Sequence, residues 1–270
     1  MTSLSPMLCD CHAHLADERI FSERHALLAD CREHGLVGVL ANAAQWAEWP
    51  RILQLCQEEE GVLGALGIHP FWPEQWSKET EAALLQILSD PKQRKFIRAV
   101  GEIGLDYWNG RGNAPLQQAV FARQLEIAVQ YDLPVSLHNR KSWEDFFGIV
   151  RDLRIDGLRG FCHNFTAGTD LARRVLDLGL HLSFCSPVTN PEASRCRASA
   201  AYAPANRILT ETDCPDLPAK AVVMAAGDSA PQSRPWHVSL VLDSLAEIRQ
   251  TTPDILAQTV HSTWQELFRV

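Results

Sequence analysis

Six ionisable residues end stretches that otherwise read as buried strands. Asp10-Cys11-His12-Ala13-His14 sets two imidazoles two residues apart. Side chains alternate along a strand, so His12 and His14 point the same way and could share one metal ion. A pair of hydrogen-bonded core histidines is the competing reading of that triplet alone. Glu102 follows Val100-Gly101, His138 follows Pro134-Val135-Ser136-Leu137, His163 follows Gly160-Phe161-Cys162, and Asp213 follows Ile208-Leu209-Thr210-Glu211-Thr212. Singly, such residues are usually caps or satisfied core groups. Together, four histidines and two carboxylates suit one or two divalent ions of borderline softness, such as Zn2+ or Mn2+.

The elements that must bring them together follow a simple alternation. Strands are predicted near 8–14, 36–42, 62–69, 96–104, 134–139, 158–164, 180–185 and 207–212. Helices are predicted near 23–34, 47–60, 79–90, 114–131, 142–154, 168–178, 190–202 and 236–250. Phe146, Val150 and Leu153 form one apolar stripe at helical spacing, and Leu171, Val175 and Leu178 form another. Gly35, Gly61, Gly157 and Gly179 stand where a helix ends and a strand begins.

Strand-then-helix units with apolar strands imply a parallel sheet buried on both faces. Eight units in 270 residues is the arithmetic of an α/β, single-domain (β/α)8 TIM barrel spanning 1–270. No Gly-rich dinucleotide fingerprint follows a strand, which argues against an open doubly wound sheet. A final helix at 253–268 is expected to pack outside the barrel, and 214–235 reads as the longest loop. In such a barrel the C-terminal strand ends share one rim, where active sites sit.

Composition narrows the function classes. The chain carries 25 Lys and Arg against 33 Asp and Glu, a formal charge of −8. That disfavours a broad basic face for nucleic acid, although bound cations could supply local positive charge. No apolar stretch reaches the length of a membrane helix, and the first ten residues lack the pattern of a secretory signal. Eight cysteines without a C-x-x-C pair read as reduced, mostly buried thiols of a cytoplasmic protein. A monomer is expected.

The motifs resemble those of the TatD family of metal-dependent hydrolases. The matching pieces are Asp-Cys-His-Ala-His-Leu (10–15), Ala-Leu-Gly-Ile-His-Pro (65–70) and Val-Gly-Glu-Ile-Gly-Leu-Asp-Tyr (100–107). Gln-Leu-Glu-Ile-Ala (124–128), Leu-Pro-Val-Ser-Leu-His-Asn-Arg (133–140), His-Asn-Phe-Thr (163–166) and Glu-Thr-Asp-Cys-Pro-Asp-Leu (211–217) follow in the family's order. The resemblance implies a metallo-dependent-hydrolase barrel, a binuclear site for Zn2+, Mn2+ or Mg2+, and a deoxyribonuclease activity of 3′–5′ exonuclease type on DNA. It places His12, His14 and Asp213 on the first metal, His138 and His163 on the second, and Glu102 across both. Asp213 would also take the proton of the attacking water. His69 and Arg140 would bind substrate phosphate, with a surface salt bridge the competing reading of Arg140.

Asp10 reads as structural support, and Asp106 as a turn cap in preference to a residue orienting a ligand. Among Trp46, Trp49, Trp72, Trp76 and Trp108, packing is expected for most, with Trp72 and Trp108 facing substrate. The chain departs from the family pattern at His163-Asn164-Phe165-Thr166-Ala167-Gly168, where one residue is inserted before the glycine. It departs also at Gln232-Ser233-Arg234-Pro235, and at Thr263 five residues before Phe268. Two other functions fit the residues: an amide, ester or lactone hydrolase of small molecules, and a non-catalytic accessory subunit.

Overall fold

The computed structural model describes residues 7–155, 157–226 and 231–270. Strands and helices alternate: β1 (Leu8–Ala13), α1 (Glu18–Phe21), α2 (Arg24–Glu33), β2 (Leu36–Asn42), α3 (Trp49–Glu58), β3 (Val62–Leu66), α4 (Lys78–Ser89) and α5 (Pro91–Arg94). They continue as β4 (Ile97–Asp106), α6 (Ala114–Gln130), β5 (Val135–Arg140), α7 (Trp143–Asp152), β6 (Gly160–Cys162) and α8 (Thr169–Asp177). The remainder is β7 (His181–Phe184), α9 (Ser194–Tyr202), β8 (Ile208–Thr210), α10 (Lys220–Ala226), α11 (Val238–Ile248) and α12 (Pro253–Phe268).

The eight strands form one sheet in the order β1 to β8, every neighbouring pair parallel. This is the expected barrel. Its last seam, between β8 and β1, is closed partly by side chains. Thr210 Oγ1 donates to the Cys9 carbonyl at 2.9 Å. Above it, Asp213 N donates to His12 O at 2.9 Å, and His14 N donates to Cys214 O at 2.7 Å. The seam therefore fastens Asp213 directly beside His12 and His14.

Local sequence explains several details. The four glycines ahead of strands all take positive φ, between 70 and 91°, a region open to glycine without a Cβ penalty. Gly104 has φ 148°, and a Cβ there would sit 1.9 Å from the His138 carbonyl oxygen. Only glycine lets β4 approach β5 closely enough to bring Glu102 and His138 together. In β1 the register slips between Asp10 and Ala13. Such bulges re-aim side chains at barrel rims.

Three features differ from the sequence expectation. The helices α1 and α5 span four residues each, too short to leave a periodic signature. The segment 214–235 carries α10, and residues 227–230 of that segment lie outside the described residues. Helix α12 does not simply lie outside the barrel. Its first half packs against α11 through Leu256, Ala257 and Val260 in the outer core. Its second half places Trp264, Leu267 and Phe268 in the cluster that fills the barrel interior, with Cys11, Leu40, Ala99, Phe161 and Leu209. Arg159, just ahead of β6, donates to Leu267 O at 2.7 Å, so α12 floors the N-terminal end of the barrel. All eight cysteines are free and buried. No described helix is long and apolar enough to cross a membrane.

Candidate metal centre

The six predicted residues converge at the C-terminal mouth. Glu102, 2% exposed, lies at the middle of the group. Its Oε2 is 3.4 Å from His12 Nε2 and 3.4 Å from His14 Nε2. Its Oε1 is 2.8 Å from His138 Nδ1, 3.5 Å from His69 Nε2 and 3.9 Å from His163 Nε2. One carboxylate thus presents a separate oxygen to each set of histidines. Asp213, with φ 59°, aims Oδ1 at His14 Nε2 (3.3 Å) and His12 Nε2 (3.7 Å), and Oδ2 at His163 Nε2 (3.8 Å).

The outward nitrogens of these histidines have partners of their own. His12 Nδ1 is 2.9 Å from Ser136 Oγ, and His14 Nδ1 donates to Asn42 O at 3.1 Å. His138 Nε2 donates to Asp106 Oδ2 at 2.8 Å. His163 Nδ1 lies 2.8 Å from Glu211 Oε1, an ion-pair contact that falls off the line of the ring N–H. Metal-binding histidines almost always have such an acceptor behind them, because it fixes the tautomer and frees the inward lone pair. Three overlapping groups place one ligand atom from each member within 4.8 Å of the others: His12, His14 and Glu102; His12, His163 and Asp213; and His69, Glu102 and His138. The donor set fits divalent cations. The group that contains His138 joins it to His69 and Glu102, whereas the sequence reading set it with His163. His69 is a poor ligand here, because its Nδ1 accepts Phe71 N–H at 3.0 Å. A neutral ring so engaged carries its proton on Nε2 and donates into the site.

Acid–base behaviour reflects crowding of carboxylates under cover. Burial alone would raise Glu102, yet the hydrogen bonds that His12 and His138 offer its carboxylate help hold it well below the usual carboxylate range. Burial likewise opposes ionisation of Asp213, but His163 and His14 bring it down to about 2. Burial disfavours charge on His163 and His14, and it is outweighed by Glu211 and Asp213 for the first, reaching about 10, and by Asp213 for the second, reaching about 9. Histidines that gain protons in this way mark a pocket with excess negative potential, which is what a cation site requires. His69 differs, because burial lowers it to about 3 and keeps it neutral.

Supporting residues are clearer in the structure than in the sequence. Asp10, fully buried, accepts from His12 N (3.1 Å), Thr212 N (3.1 Å) and Thr212 Oγ1 (2.5 Å), and so ties β1 to the segment after β8. Asp106 both caps a turn, through Trp108 N at 2.7 Å, and orients His138. Glu211 carries no assignment in the sequence reading. It is fully buried and accepts from Asn164 N at 2.6 Å and Ser183 Oγ at 2.6 Å, besides its contact with His163. Its place two residues before Asp213 was the available signal.

The centre opens into a cleft of about 510 Å3 whose lining includes His69, Trp72, Arg140, Asn164 and Asp213. Arg140 makes no ion pair among the described residues. Its guanidinium lies 3.9 Å over the Trp108 ring, with Lys141 Nζ 3.9 Å from the same ring. Trp49 is buried and Trp76 packs against the core, whereas Trp46 is exposed. Phe71, which the sequence reading passed over, stands half-exposed in the lining beside His69.

Comparison with known proteins bears on family and fold. A family model described as TatD related DNase matches residues 9–269. The metal-dependent hydrolase YjjV of Escherichia coli is 29% identical over 269 residues, covering 98% of this chain and 100% of that protein. Its crystal structure matches with a TM-score of 0.90 at 28% identity, over 99% of this chain and 100% of the other. The metal-dependent hydrolase YabD of Bacillus subtilis is 26% identical over 98% of this chain and 100% of its own length. The 3′-5′ ssDNA/RNA exonuclease TatD of Salmonella typhimurium is 25% identical over 97% of this chain and 98% of its own length.

Proposed function

Because the chain belongs to the TatD-related DNase family of metal-dependent hydrolases, we propose that it is a phosphodiesterase that removes nucleotides from DNA in the 3′–5′ direction. We infer that two divalent cations, Zn2+, Mn2+ or Mg2+, are held by His12, His14 and Asp213 on one side and His138 and His163 on the other. Glu102 spans both. The observation that carries this reading is the division of Glu102, with Oε2 toward His12 and His14 and Oε1 toward His138. A relative named as a 3′-5′ exonuclease supports the choice of substrate.

Bound there, a cation pair would lower the pKa of a water and offset charge on a phosphodiester during in-line displacement. The protein's own groups then have separate tasks. Asp213 takes the water's proton, since its carboxylate already lies among the inward nitrogens. His69, neutral with Nε2–H facing the cleft, donates to a phosphoryl oxygen as charge develops there. Arg140, without an ion pair among the described residues, holds a neighbouring phosphate. Asp106 and Glu211 keep the imidazoles of His138 and His163 from turning. We take the protein to act as a monomer in the cytoplasm.

One observation favours the small-molecule alternative. Asp17, Glu48 and Asp216 line the same cleft, and Arg19 is occupied by Asp17 and Asp216, each at 2.7 Å. Acidic lining on one side suits a compact substrate better than a long polyanion. Release of label from 3′-labelled single-stranded DNA, with Mn2+ and with chelator, tests the proposal. Metal-dependent release supports it. Hydrolysis of lactones or amides, with DNA left intact, would transfer the reading to the alternative.

A further inference from the structure

Phe71 belongs to two cavities. One face of its surroundings is the cleft of the metal centre; the other is a separate cavity of about 430 Å3 lined by Pro70, Asn109, Gly110, Asn113 and Gln117. We propose that this side cavity receives a nucleobase adjacent to the scissile phosphate, stacked on Phe71 and met at its edge by Asn109 and Asn113. The choice of ligand rests on the phosphodiesterase reading; the cavity itself does not.

Three observations carry it. First, Phe71 is placed for a group attached to a reacting phosphate. Its ring centroid is 4.5 Å from that of His69 and 6.2 Å from that of His138, and the residue is 50% exposed. Every base offers a π-face, so an aromatic platform works without sequence choice. Second, the cavity wall is built before a ligand arrives. Gln117 Oε1 accepts Asp106 N at 2.9 Å, and its Nε2 donates to Asp106 O at 3.0 Å and to Asn113 Oδ1 at 2.9 Å. That clamp fixes the 107–113 loop to the end of β4, the same end whose Asp106 orients His138. Third, amide groups are left over. Asn109 and Asn113 are exposed and line the cavity, and among the described residues the Asn109 side chain and Asn113 Nδ2 have no protein hydrogen-bond partner; amides pair well with base edges. Arg140 and Lys141, packed on Trp108 next to this loop, supply positive charge for the connecting backbone.

The test compares binding of two phosphorothioate-ended, fluorescently labelled single strands in Mn2+ buffer, read by anisotropy. One has natural 3′-terminal bases; the other has abasic residues at the same two positions. Stacking of one base is worth about 5- to 150-fold in affinity. Wild type is expected to prefer the natural end by that margin, and Phe71→Ala to close the gap. Asn109→Ala is expected to narrow the differences among the four terminal bases. The abasic strand serves as the control for folding, since a misfolded variant loses both. Equal affinity of wild type for the two strands, or a Phe71→Ala loss of equal size on both, overturns the subsite. A base preference without hydrolysis of the unmodified strand leaves the subsite standing and removes the phosphodiesterase reading.

Discussion

Asp106 Oδ2 lies 2.8 Å from His138 Nε2, and through that bond it decides which nitrogen of His138 faces Glu102. A ring whose Nε2–H is held by a carboxylate offers the Nδ1 lone pair inward. The same logic runs behind His14, whose partner is a backbone carbonyl that no substitution removes.

Removal of the Asp106 carboxylate therefore weakens the centre without deleting a ligand. Asp106→Ala is expected to lower metal affinity by about 10- to 100-fold, the usual cost of losing such a partner. Asp106→Asn retains an oxygen acceptor for Nε2–H and should lose less. Isothermal titration with Mn2+ distinguishes the two. Equal affinity in wild type and Asp106→Ala would show that His138 is oriented by something else.

Glu211 is a stability prediction as well as a functional one. Glu211→Ala leaves Ser183 Oγ, Asn164 N–H and His163 without their acceptor in a buried setting. Buried donors left unsatisfied cost about 1–3 kcal/mol each, so for the two hydrogen-bond donors, Ser183 and Asn164, a loss of roughly 2–6 kcal/mol is expected in urea unfolding. A change within 0.5 kcal/mol, the range of an ordinary surface substitution, would contradict this role.

His69 separates catalysis from metal binding. With Nδ1 engaged by Phe71 N–H, it is proposed to donate from Nε2 rather than to ligate. His69→Ala should keep wild-type metal content and lose about 100- to 1,000-fold in kcat, as donors to developing charge do. Loss of a metal ion in this variant would make His69 a ligand.

Acid sensitivity has a source outside the centre. Burial lowers His181 from an ordinary 6.5 to about 4, and its Nδ1 donates to Gly160 O. Between those values the unfolded chain binds a proton that the folded chain refuses. Stability from this group is complete above pH 6.5 and falls as pH drops toward 4. In His181→Gln, unfolding free energy measured from pH 7 to 4 should fall less steeply than in wild type. An identical slope would remove His181 from the account.

The centre was legible because ionisable side chains ending apolar strands have few structural reasons to be there. His12, His14, Glu102, His138, His163 and Asp213 all carry that mark. What sequence withheld is geometric. Periodicity cannot report a four-residue helix such as α1. The spacing of Trp264, Leu267 and Phe268 gives an apolar stripe but not the end of the barrel it closes. Glu211 carries the same mark two residues before Asp213, but only its neighbours in space give it the task of supporting His163, and Phe71 is an ordinary residue type for a loop. The slip in β1 also shows that His12 and His14 converge through a bulge and the β8 seam, not through strand alternation alone.

The proposed centre would hold two cations, with Glu102 contributing to both. Elemental analysis of Mn2+-loaded wild type beside a His12→Ala/His14→Ala variant tests it most directly. About two ions per wild-type chain and about one in the variant, as expected for a two-metal site that loses one half, is the predicted result. No retained metal in wild type after loading would contradict the account and return these histidines to the core.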